Sequence, residues 1–326
     1  MRKSRPFAKH EAKAWARAHL KGLYMCPLTP FREDFTLDEE GLRRNLQAFL
    51  DMGVDGLVVG GFFAEGWNMT LEEWKAYHRI VAEEVGGRVP LFTIILDHSA
   101  YQALERLAFV AELGYEGAEV MNPAVQLKTE EEIYEYFRFL ADRTDLALVL
   151  YRTPVSGKVY SHETVARLAE LPNVVGVKNG TLSWTDSIAL RKKVGDALVV
   201  SEPDESVFLY DIAHFGGRLL YGELSLILYG RQRHLLSRYT RLALEGKVEE
   251  AEPLFQALEP VRAVYREVLL ERIARTASYV AAHPYLKAWF EILGLAAGPT
   301  RPPVRARIAP EEREALERRL REVGVL

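Results

Sequence analysis

Residues 89–122, VPLFTIILDHSAYQALERLAFVAELGYEGAEVMN, read as one strand–helix–strand unit. The first apolar run, 89–96, has the length and β-branched content of a buried strand. Ser99 then precedes an amphipathic segment that ends at Gly114, the pattern of a helix capped at both ends. A second apolar run follows at 117–122. Two strands joined through a helix in this way are predicted to be parallel neighbours in a sheet.

The same alternation recurs from residue 20 to residue 223. The predicted strands are 20–26, 55–61, 89–96, 117–122, 146–152, 174–179, 197–202 and 217–223. The predicted helix starts include Thr36, Thr70, Ser99 and Thr129. Eight apolar strands, each followed by a helix, are typical of an α/β (β/α)8 TIM barrel. An open doubly wound sheet usually has fewer strands and a glycine-rich phosphate loop, and the sequence contains neither GxGxxG nor a P-loop.

Three regions are predicted along the chain: an N-terminal helical extension at 1–20, the barrel at 21–245, and a C-terminal helical region at 246–326. In the extension, residues 6–20 form an amphipathic pattern with Phe7, Trp15 and Leu20 as expected docking contacts. Beyond residue 225 the sequence shows only helical patterns, with a proline-rich strap at 298–310 before a last amphipathic helix.

The composition favours a small-molecule partner. The 326 residues carry a net charge of −4, which gives no electrostatic footprint for nucleic acid. No stretch approaches the roughly 18 uninterrupted apolar residues of a membrane helix, and the basic N-terminus lacks the apolar core of a signal peptide. The single cysteine, Cys26, cannot form an internal disulfide, so we expect a cytoplasmic protein without membrane contact.

Catalytic residues of a TIM barrel lie where its strands end, and Lys178 ends the sixth predicted strand. Its apolar surroundings disfavour the ammonium and make a nucleophilic amine more available, which can form an iminium with a 2-oxo acid. Tyr151 ends the neighbouring strand and could move protons there. The alternatives are a lysine that extends from a strand edge to solvent or pairs with a neighbouring carboxylate, and a tyrosine that caps the core.

Other polar side chains also follow strand ends. They are Cys26, Thr29, Glu65, Asp97, His98, Asn122, Arg152, Glu202, Tyr221 and Glu223. Acidic neighbours would oppose a nucleophilic lysine. The four acidic residues instead suggest an alternative, a Mg²⁺-dependent enolate-forming lyase with Lys178 as base.

Each of these side chains also has a structural interpretation. Glu65 could hydrogen-bond within its own loop, Glu202 and Glu223 could face solvent or pair with an arginine, and His98 could be a rim residue. A third hypothesis is a non-catalytic sensor that binds a 2-oxo acid or an amine.

Several segments in order resemble the dihydrodipicolinate synthase and N-acetylneuraminate lyase family of pyruvate-dependent class I aldolases. The opening at 22–73 is similar to the family's TPF strand and GGTTGE loop, LYRTPVSG at 150–157 to its YNxP segment, and VVGVKNGT at 174–181 to its Schiff-base segment. HPYLKAWFEILGL at 283–295 with the following RPP resembles its C-terminal region, so the similarity spans about residues 21–325.

The resemblance implies a lyase in which Lys178 forms the Schiff base and Tyr151 relays protons. It further implies that the loop at 61–65 holds the carboxylate of pyruvate or another 2-oxo acid. Neither a cofactor nor a metal ligand is predicted. Because such relatives commonly form dimers and tetramers, a homo-oligomer is expected.

The sequence also departs from the family pattern. Phe62 and Phe63 replace the two hydroxyl residues of the GGTTGE loop, and 122–129 has no match for the tyrosine that a neighbouring subunit contributes to the relay. The synthases' arginine after YNVP has no clear match, although Arg152 is nearby. These departures predict a substrate tail bulkier or more apolar than aspartate semialdehyde, rather than a true lysine-pathway synthase. A true 4-hydroxy-tetrahydrodipicolinate synthase is the alternative. The predicted substrate-binding residues are Phe62, Phe63, Arg152, Glu202 and Tyr221.

Overall fold

A computed structural model describes residues 5–181, 183–276 and 278–326 of the chain. The chain divides into two compact units, which we call the strand unit and the helical unit. The strand unit comprises Met1–Tyr24, Asp55–Gly61 and Gly87–Glu223; the helical unit comprises Met25–Val54, Phe62–Gly86 and Leu224–Leu326.

All eight predicted strands are present. They are β1 Gly22–Met25, β2 Gly56–Val59, β3 Leu91–Ile95, β4 Gly117–Met121, β5 Ala147–Arg152, β6 Val174–Asn179, β7 Val199–Ser201 and β8 Leu219–Glu223. Their order in one sheet is β7-β6-β5-β4-β3-β2-β1-β8, and the paired strands from β2 to β7 run parallel. The Ser201 hydroxyl on β7 donates to the Leu219 carbonyl on β8 at 2.9 Å, which brings the two ends of the sheet together. The predicted TIM barrel is confirmed.

Helices alternate with the strands and continue after them. The first eight are α1 Ala12–His19, α2 Glu39–Asp51, α3 Leu71–Val85, α4 Ala100–Leu113, α5 Glu130–Arg143, α6 His162–Leu168, α7 Trp184–Val194 and α8 Phe208–Phe215. The C-terminal helices are α9 Ser225–Leu228, α10 Arg233–Leu244, α11 Val248–Gln256, α12 Glu259–Tyr265, α13 Arg272–Thr276, α14 His283–Ile292 and α15 Pro310–Glu322. A π-helical segment, Arg266–Glu271, lies between α12 and α13. The predicted C-terminal helical appendage is therefore present. None of the described helices has the length and apolar content to cross a membrane.

Three of the four quoted helix starts are confirmed. The side chains of Thr70, Ser99 and Thr129 each accept a hydrogen bond from a backbone N–H of the first turn. The prediction for Thr36 is wrong, because Asp38 caps α2 instead and accepts from the backbone of Gly41 at 3.0 Å.

The reason lies in the chain that leads into α2. Leu37 forms an isolated antiparallel bridge with Phe31, which keeps this segment extended. The Thr36 backbone N–H and hydroxyl both donate to Asp34, at 3.0 and 2.6 Å, which holds Thr36 in the turn before the helix. The next residue with a capping oxygen is Asp38, and the helix starts there.

The barrel interior combines glycines with large aromatic side chains. A Cβ at Gly117 would lie 2.2 Å from the ring of Phe92, and one at Gly56 would lie 2.3 Å from the ring of Tyr24. Both aromatic rings also pack against Tyr221, each at a centroid distance of 5.9 Å. This aromatic layer fills the barrel below its C-terminal mouth, as the packed interior of such barrels requires.

The N-terminal extension packs against the barrel. Phe7, Trp15 and Leu20 are all buried, as predicted. The Trp15 ring stacks on Phe92 at 6.3 Å and contacts Phe7 at 4.8 Å. Because Phe92 is the second residue of β3, α1 covers the N-terminal ends of the strands, opposite to the ends that carry Lys178 and Tyr151.

Candidate active site

Lys178 and Tyr151 lie side by side. They are register partners on β6 and β5, so both side chains project to the barrel interior near the C-terminal ends of the strands. The Lys178 Nζ atom is 4.8 Å from the centroid of the Tyr151 ring. Both residues are buried, with 7% and 6% of their surface exposed. The structure therefore brings together the two residues to which the sequence assigned the chemistry.

A third group at this position, Glu119, was missed in the sequence. It lies at the centre of β4, paired with Ile94 on β3 and Val149 on β5. Its Oε1 atom is 3.7 Å from Lys178 Nζ, and the residue is completely buried. Burial raises the pKa of this carboxyl, and the Lys178 ammonium opposes that shift. The signal that could have found it is an acidic residue inside an otherwise apolar strand.

Gly222 on β8 completes the surroundings of the amine. Its carbonyl accepts a hydrogen bond from Lys178 Nζ at 3.0 Å. Its φ of +70° lies in the left-handed region that glycine tolerates best. A Cβ at this position would lie 2.6 Å from Lys178 Nζ and 3.6 Å from Glu119 Oε2. Glycine thus leaves the space in which the amine and the carboxylate meet.

Arg152, a predicted substrate-binding residue, directs its side chain elsewhere. It follows Tyr151 in β5, so its side chain leaves the opposite face of the strand. The guanidinium donates to the Tyr160 carbonyl at 2.7 Å, to Asn179 Oδ1 at 2.7 Å and to Asp186 at 2.6 Å. The structure places Arg152 in this buried polar network rather than beside Lys178. Substrate binding by Arg152 stays a prediction.

Glu202 is buried at the end of β7 in the same network. It accepts hydrogen bonds from the Ser187 hydroxyl at 2.7 Å and from the Asp204 backbone at 3.2 Å. Burial raises its pKa to about 7, although the hydrogen bonds lower it. With 2% of its surface exposed, Glu202 does not face solvent, and that structural alternative is wrong.

Tyr221 and Glu223 are also buried, with 0% and 5% of their surface exposed. Tyr221 belongs to the aromatic layer described above and lies against Tyr24 and Phe92. Its predicted contact with substrate is not tested by these contacts and stays a prediction. For Glu223, the burial excludes a solvent-facing side chain.

In the helical unit, the loop after β2 is anchored by a buried ion pair. Glu65 Oε1 is 2.8 Å from Lys287 Nζ, and the Arg301 backbone N–H donates to Glu65 Oε2 at 2.9 Å. Lys287 also donates to the carbonyls of Thr29 and Pro299 at 3.1 and 2.8 Å. Burial lowers the pKa of Lys287 to about 8, while Glu65 opposes the shift. Glu65 is thus structural, but it binds the C-terminal segments rather than its own loop.

The two phenylalanines of this loop lie among other aromatic groups. Phe62 lies 6.1 Å from the Tyr279 ring, and Phe63 lies 6.2 Å from the His283 ring. Both phenylalanines are half-buried. Burial lowers the pKa of His283 to about 4, which leaves its imidazole neutral at pH 7. The loop therefore presents apolar surface where the family pattern has hydroxyl groups.

Three of the four acidic residues suggested as Mg²⁺ ligands have other partners. Asp97 forms a 2.9 Å ion pair with Arg106, and Glu65 and Glu202 make the contacts given above. Burial raises the pKa of Asp97 despite that arginine. His98 is exposed and precedes the cap of α4, in agreement with a rim residue. Within residues 5–181, 183–276 and 278–326, no three His, Cys, Asp or Glu side chains form a group suited to a metal ion.

Comparison with known proteins extends the resemblance. The model of the dihydrodipicolinate synthetase family matches residues 19–323. The 4-hydroxy-tetrahydrodipicolinate synthase of Moorella thermoacetica is 29% identical over 307 residues, covering 92% of this chain and 97% of the relative. The N-acetylneuraminate lyase of Rhizobium meliloti is 27% identical over 288 residues, with 88% and 90% covered.

A solved structure shows the same fold. It is the chloride-inhibited dihydrodipicolinate synthase of Acinetobacter baumannii complexed with pyruvate, which aligns with a TM-score of 0.81 at 21% identity. The alignment covers 94% of this chain and 100% of the other. With the family match over nearly the whole length, the chain belongs to the dihydrodipicolinate synthetase family and is a lyase of the class I aldolase type.

Proposed function

We propose that the protein is a Schiff-base lyase in which Lys178 forms an iminium with pyruvate or another 2-oxo acid. The observation that carries this proposal is the buried Lys178 amine at the end of β6, beside Tyr151 on β5. An iminium at this position withdraws electrons from the adjacent carbon of the substrate. Formation of an enamine or cleavage of a C–C bond then becomes possible through the amine alone.

Tyr151 has the proton-transfer role in this proposal. A phenol can both donate and accept a proton, as formation and breakdown of a carbinolamine require. By the family resemblance, the main-chain N–H groups of Phe62 and Phe63 hold the substrate carboxylate. The pyruvate complex of the Acinetobacter baumannii relative supports pyruvate as the first ligand to test.

The second substrate of the proposed reaction is an aldehyde. The relatives include both synthases and an N-acetylneuraminate lyase, so the family does not select one aldehyde. Phe62 and Phe63, half-buried near Tyr279 and His283, favour a substrate tail more apolar than aspartate semialdehyde. A panel of 2-oxo acids and aldehydes, measured for turnover in both directions, tests this. A marked preference for aspartate semialdehyde would contradict it.

Borohydride reduction in the presence of pyruvate tests the central step. The wild-type protein should gain the mass of one reduced pyruvyl group, and Lys178→Ala should gain none. Lys193→Ala, a substitution at a lysine on α7 paired with Glu163 at 3.2 Å, should behave as wild type. Turnover abolished by EDTA without any adduct would instead favour the metal-dependent alternative, and pyruvate binding with neither adduct nor turnover would favour the sensor.

We also infer a homo-oligomer, a dimer or a tetramer, in the cytoplasm. The family resemblance supports the assembly and the single cysteine supports the compartment. Size-exclusion chromatography with light scattering measures the assembly directly. A mass of about 37 kDa at micromolar concentration would contradict it.

A further inference from the structure

We propose that Glu119 is a catalytic acid–base residue that exchanges a proton with Lys178 during iminium formation. This inference rests on the proposed function. Glu119 contacts a reacting atom, since its Oε1 atom is 3.7 Å from Lys178 Nζ.

The hydrogen bonding of Glu119 is the first argument. Within the described part of the chain, neither carboxyl oxygen has a hydrogen-bond partner at normal distance, and the Lys178 ammonium interacts with Oε1 across 3.7 Å, although Glu119 is completely buried. A permanently ionised carboxylate in a protein interior normally collects several donors. A carboxyl that changes its protonation state has a smaller need for them. Burial raises the pKa of Glu119, so transfer of a proton to it costs less than transfer to an exposed carboxylate.

The molecule also contains a second buried Lys–Glu pair, which is shorter and is held by further hydrogen bonds. Lys287 and Glu65 lie 2.8 Å apart, and Glu65 also accepts from the Arg301 backbone. Lys287 is further fixed by two carbonyl oxygens. That pair has the geometry of a permanent structural salt bridge. The distance from Lys178 Nζ to Glu119 Oε1 is 3.7 Å against 2.8 Å in the other pair, so the carboxylate of Glu119 holds the ammonium proton less tightly.

Gly222 keeps the space between Lys178 Nζ and the Glu119 carboxyl open, which also supports the inference. A side chain there would lie 2.6 Å from Lys178 Nζ and 3.6 Å from Glu119 Oε2. The left-handed φ of +70° shows that β8 is shaped locally to bring its carbonyl, rather than a side chain, to the amine. The interior at this level therefore accommodates a proton transfer between amine and carboxylate.

Every proton in the proposed formation of the iminium is accounted for. Glu119 first takes a proton from the Lys178 ammonium, which gives a neutral amine and a carboxylic acid. The amine attacks the ketone carbon and forms the C–N bond, and one amine proton moves to the former ketone oxygen through Tyr151. Glu119 then returns its proton to the departing hydroxyl, the C–O bond breaks, and water leaves. The products are the iminium cation and the Glu119 carboxylate beside it.

The test is the rate of adduct formation with pyruvate, measured by rapid mixing and quenching with borohydride. Glu119→Gln keeps the shape and removes the acid–base function. We expect it to form the adduct roughly 10²-fold to 10⁴-fold more slowly than wild type. Glu119→Asp retains a carboxylate and should lie between the two. Formate should accelerate Glu119→Ala, which has room for it, and should not accelerate Glu119→Gln.

If Glu119 had only a structural role, the rates of adduct formation in these variants would follow a different pattern. Neutralising it would then leave the rate of adduct formation near that of wild type, and this result for a folded Glu119→Gln protein overturns the inference. Equal slowing in the Gln and Asp variants without rescue by formate also overturns it. Circular dichroism and thermal unfolding check the fold, and if Glu119→Ala does not fold, the Gln and Asp variants carry the test. A wild-type protein that forms no adduct overturns the proposed function itself, so the two failures are distinguishable.

Discussion

At the end of β6, Lys178 is surrounded by groups that come from three other strands. Tyr151, Glu119 and Gly222 are far apart in sequence, and barrel closure brings them to one amine. Each has a separate physical effect: the phenol can move protons, the carboxyl can share the amine proton, and the glycine carbonyl orients the nitrogen. The surroundings of Lys178, on which its proposed reactivity depends, are therefore a property of the closed barrel rather than of its own strand.

Tyr151→Phe should lower kcat by roughly 10²-fold while substrate binding changes little, since it removes a proton-transfer group and keeps the ring. Steady-state kinetics with the best substrate of the panel measures both quantities. Tyr136→Phe is the matched control, because Tyr136 is a buried tyrosine on α5 whose hydroxyl has no hydrogen-bond partner in the described part of the chain. Normal kcat in Tyr151→Phe would show that its assigned role is wrong.

Because the pKa of Glu202 is raised, we expect the free energy of unfolding to depend on pH. Its pKa is raised from 4.5 to about 7, so between these values the folded carboxyl keeps a proton that the unfolded chain has lost. Unfolding then releases a proton, and the free energy of unfolding falls as the pH rises through this window. Glu202→Gln removes the effect and should gain about 2 kcal/mol relative to wild type between pH 5 and pH 8.

Urea unfolding at both pH values measures this difference. Other buried carboxyls, such as Asp55 and Asp97, are present in both proteins, and their contribution cancels. The same substitution at the exposed Glu314 is the control and should give no comparable gain. A constant difference between Glu202→Gln and wild type across this range would contradict the assignment.

The sequence could predict that Lys178 and Tyr151 lie together, because both end apolar strands of a recognisable repeat, and their catalytic roles stay a prediction. It could not predict Glu119, because a single acidic residue in a strand gives no information about which distant side chain it will face. Lys287 was missed for the same reason, since its partner Glu65 lies more than two hundred residues earlier. Arg152 was close in sequence but leaves the other face of its strand.

At the scale of single elements, local hydrogen bonding decides where helices start and where strands bend. Thr70, Ser99 and Thr129 cap the predicted helices, whereas the Thr36 hydroxyl donates to Asp34 in the preceding turn. Competition between a cap and a local turn is invisible in a sequence pattern, because both use the same residue types. The shift from Thr36 to Asp38 is the result of that competition.

Within β8, Gly222 offers a test of local geometry. Gly222→Ala should slow adduct formation by at least about tenfold, because its Cβ would lie 2.6 Å from Lys178 Nζ and an activation free energy raised by roughly 1.4 kcal/mol already has that effect. Gly216→Ala is the matched control: its φ of +76° imposes similar backbone strain, and its nearest contact, the Arg191 Cδ, is 3.7 Å away. Both variants should lose about 1 kcal/mol of stability. Rapid-quench trapping and urea unfolding separate the two effects, and equal adduct rates would contradict the proposed geometry.

At the scale of the whole molecule, the strand unit places the N-terminal extension and the proposed catalytic residues at opposite ends of the strands. Trp15 of the N-terminal extension stacks on Phe92 at the N-terminal ends of the strands, whereas Lys178 and Tyr151 lie at the C-terminal ends. This separation is general in TIM barrels. The eight strands themselves could be predicted because each is a short apolar run. Their closure depends on side-chain volumes, such as Gly117 beside Phe92, that a strand pattern does not show.

Trp15→Ala should therefore lower the free energy of unfolding by about 3 kcal/mol and leave the rate of adduct formation within about twofold of wild type. Trp67→Ala is the control, because 39% of Trp67 is exposed and surface substitutions usually change stability by about 0.5 kcal/mol or less. Urea unfolding and borohydride trapping measure the two properties in the same preparations. A large loss of adduct formation in a folded Trp15→Ala protein would show that the two ends of the barrel are coupled.

The most direct test of the central claim is to locate the covalent bond. The wild-type protein is reduced with borohydride in the presence of pyruvate, digested, and mapped by peptide mass spectrometry. We predict that the reduced pyruvyl group is found on Lys178. Its presence on another lysine, including the buried Lys287, or the absence of any labelled peptide would contradict the account.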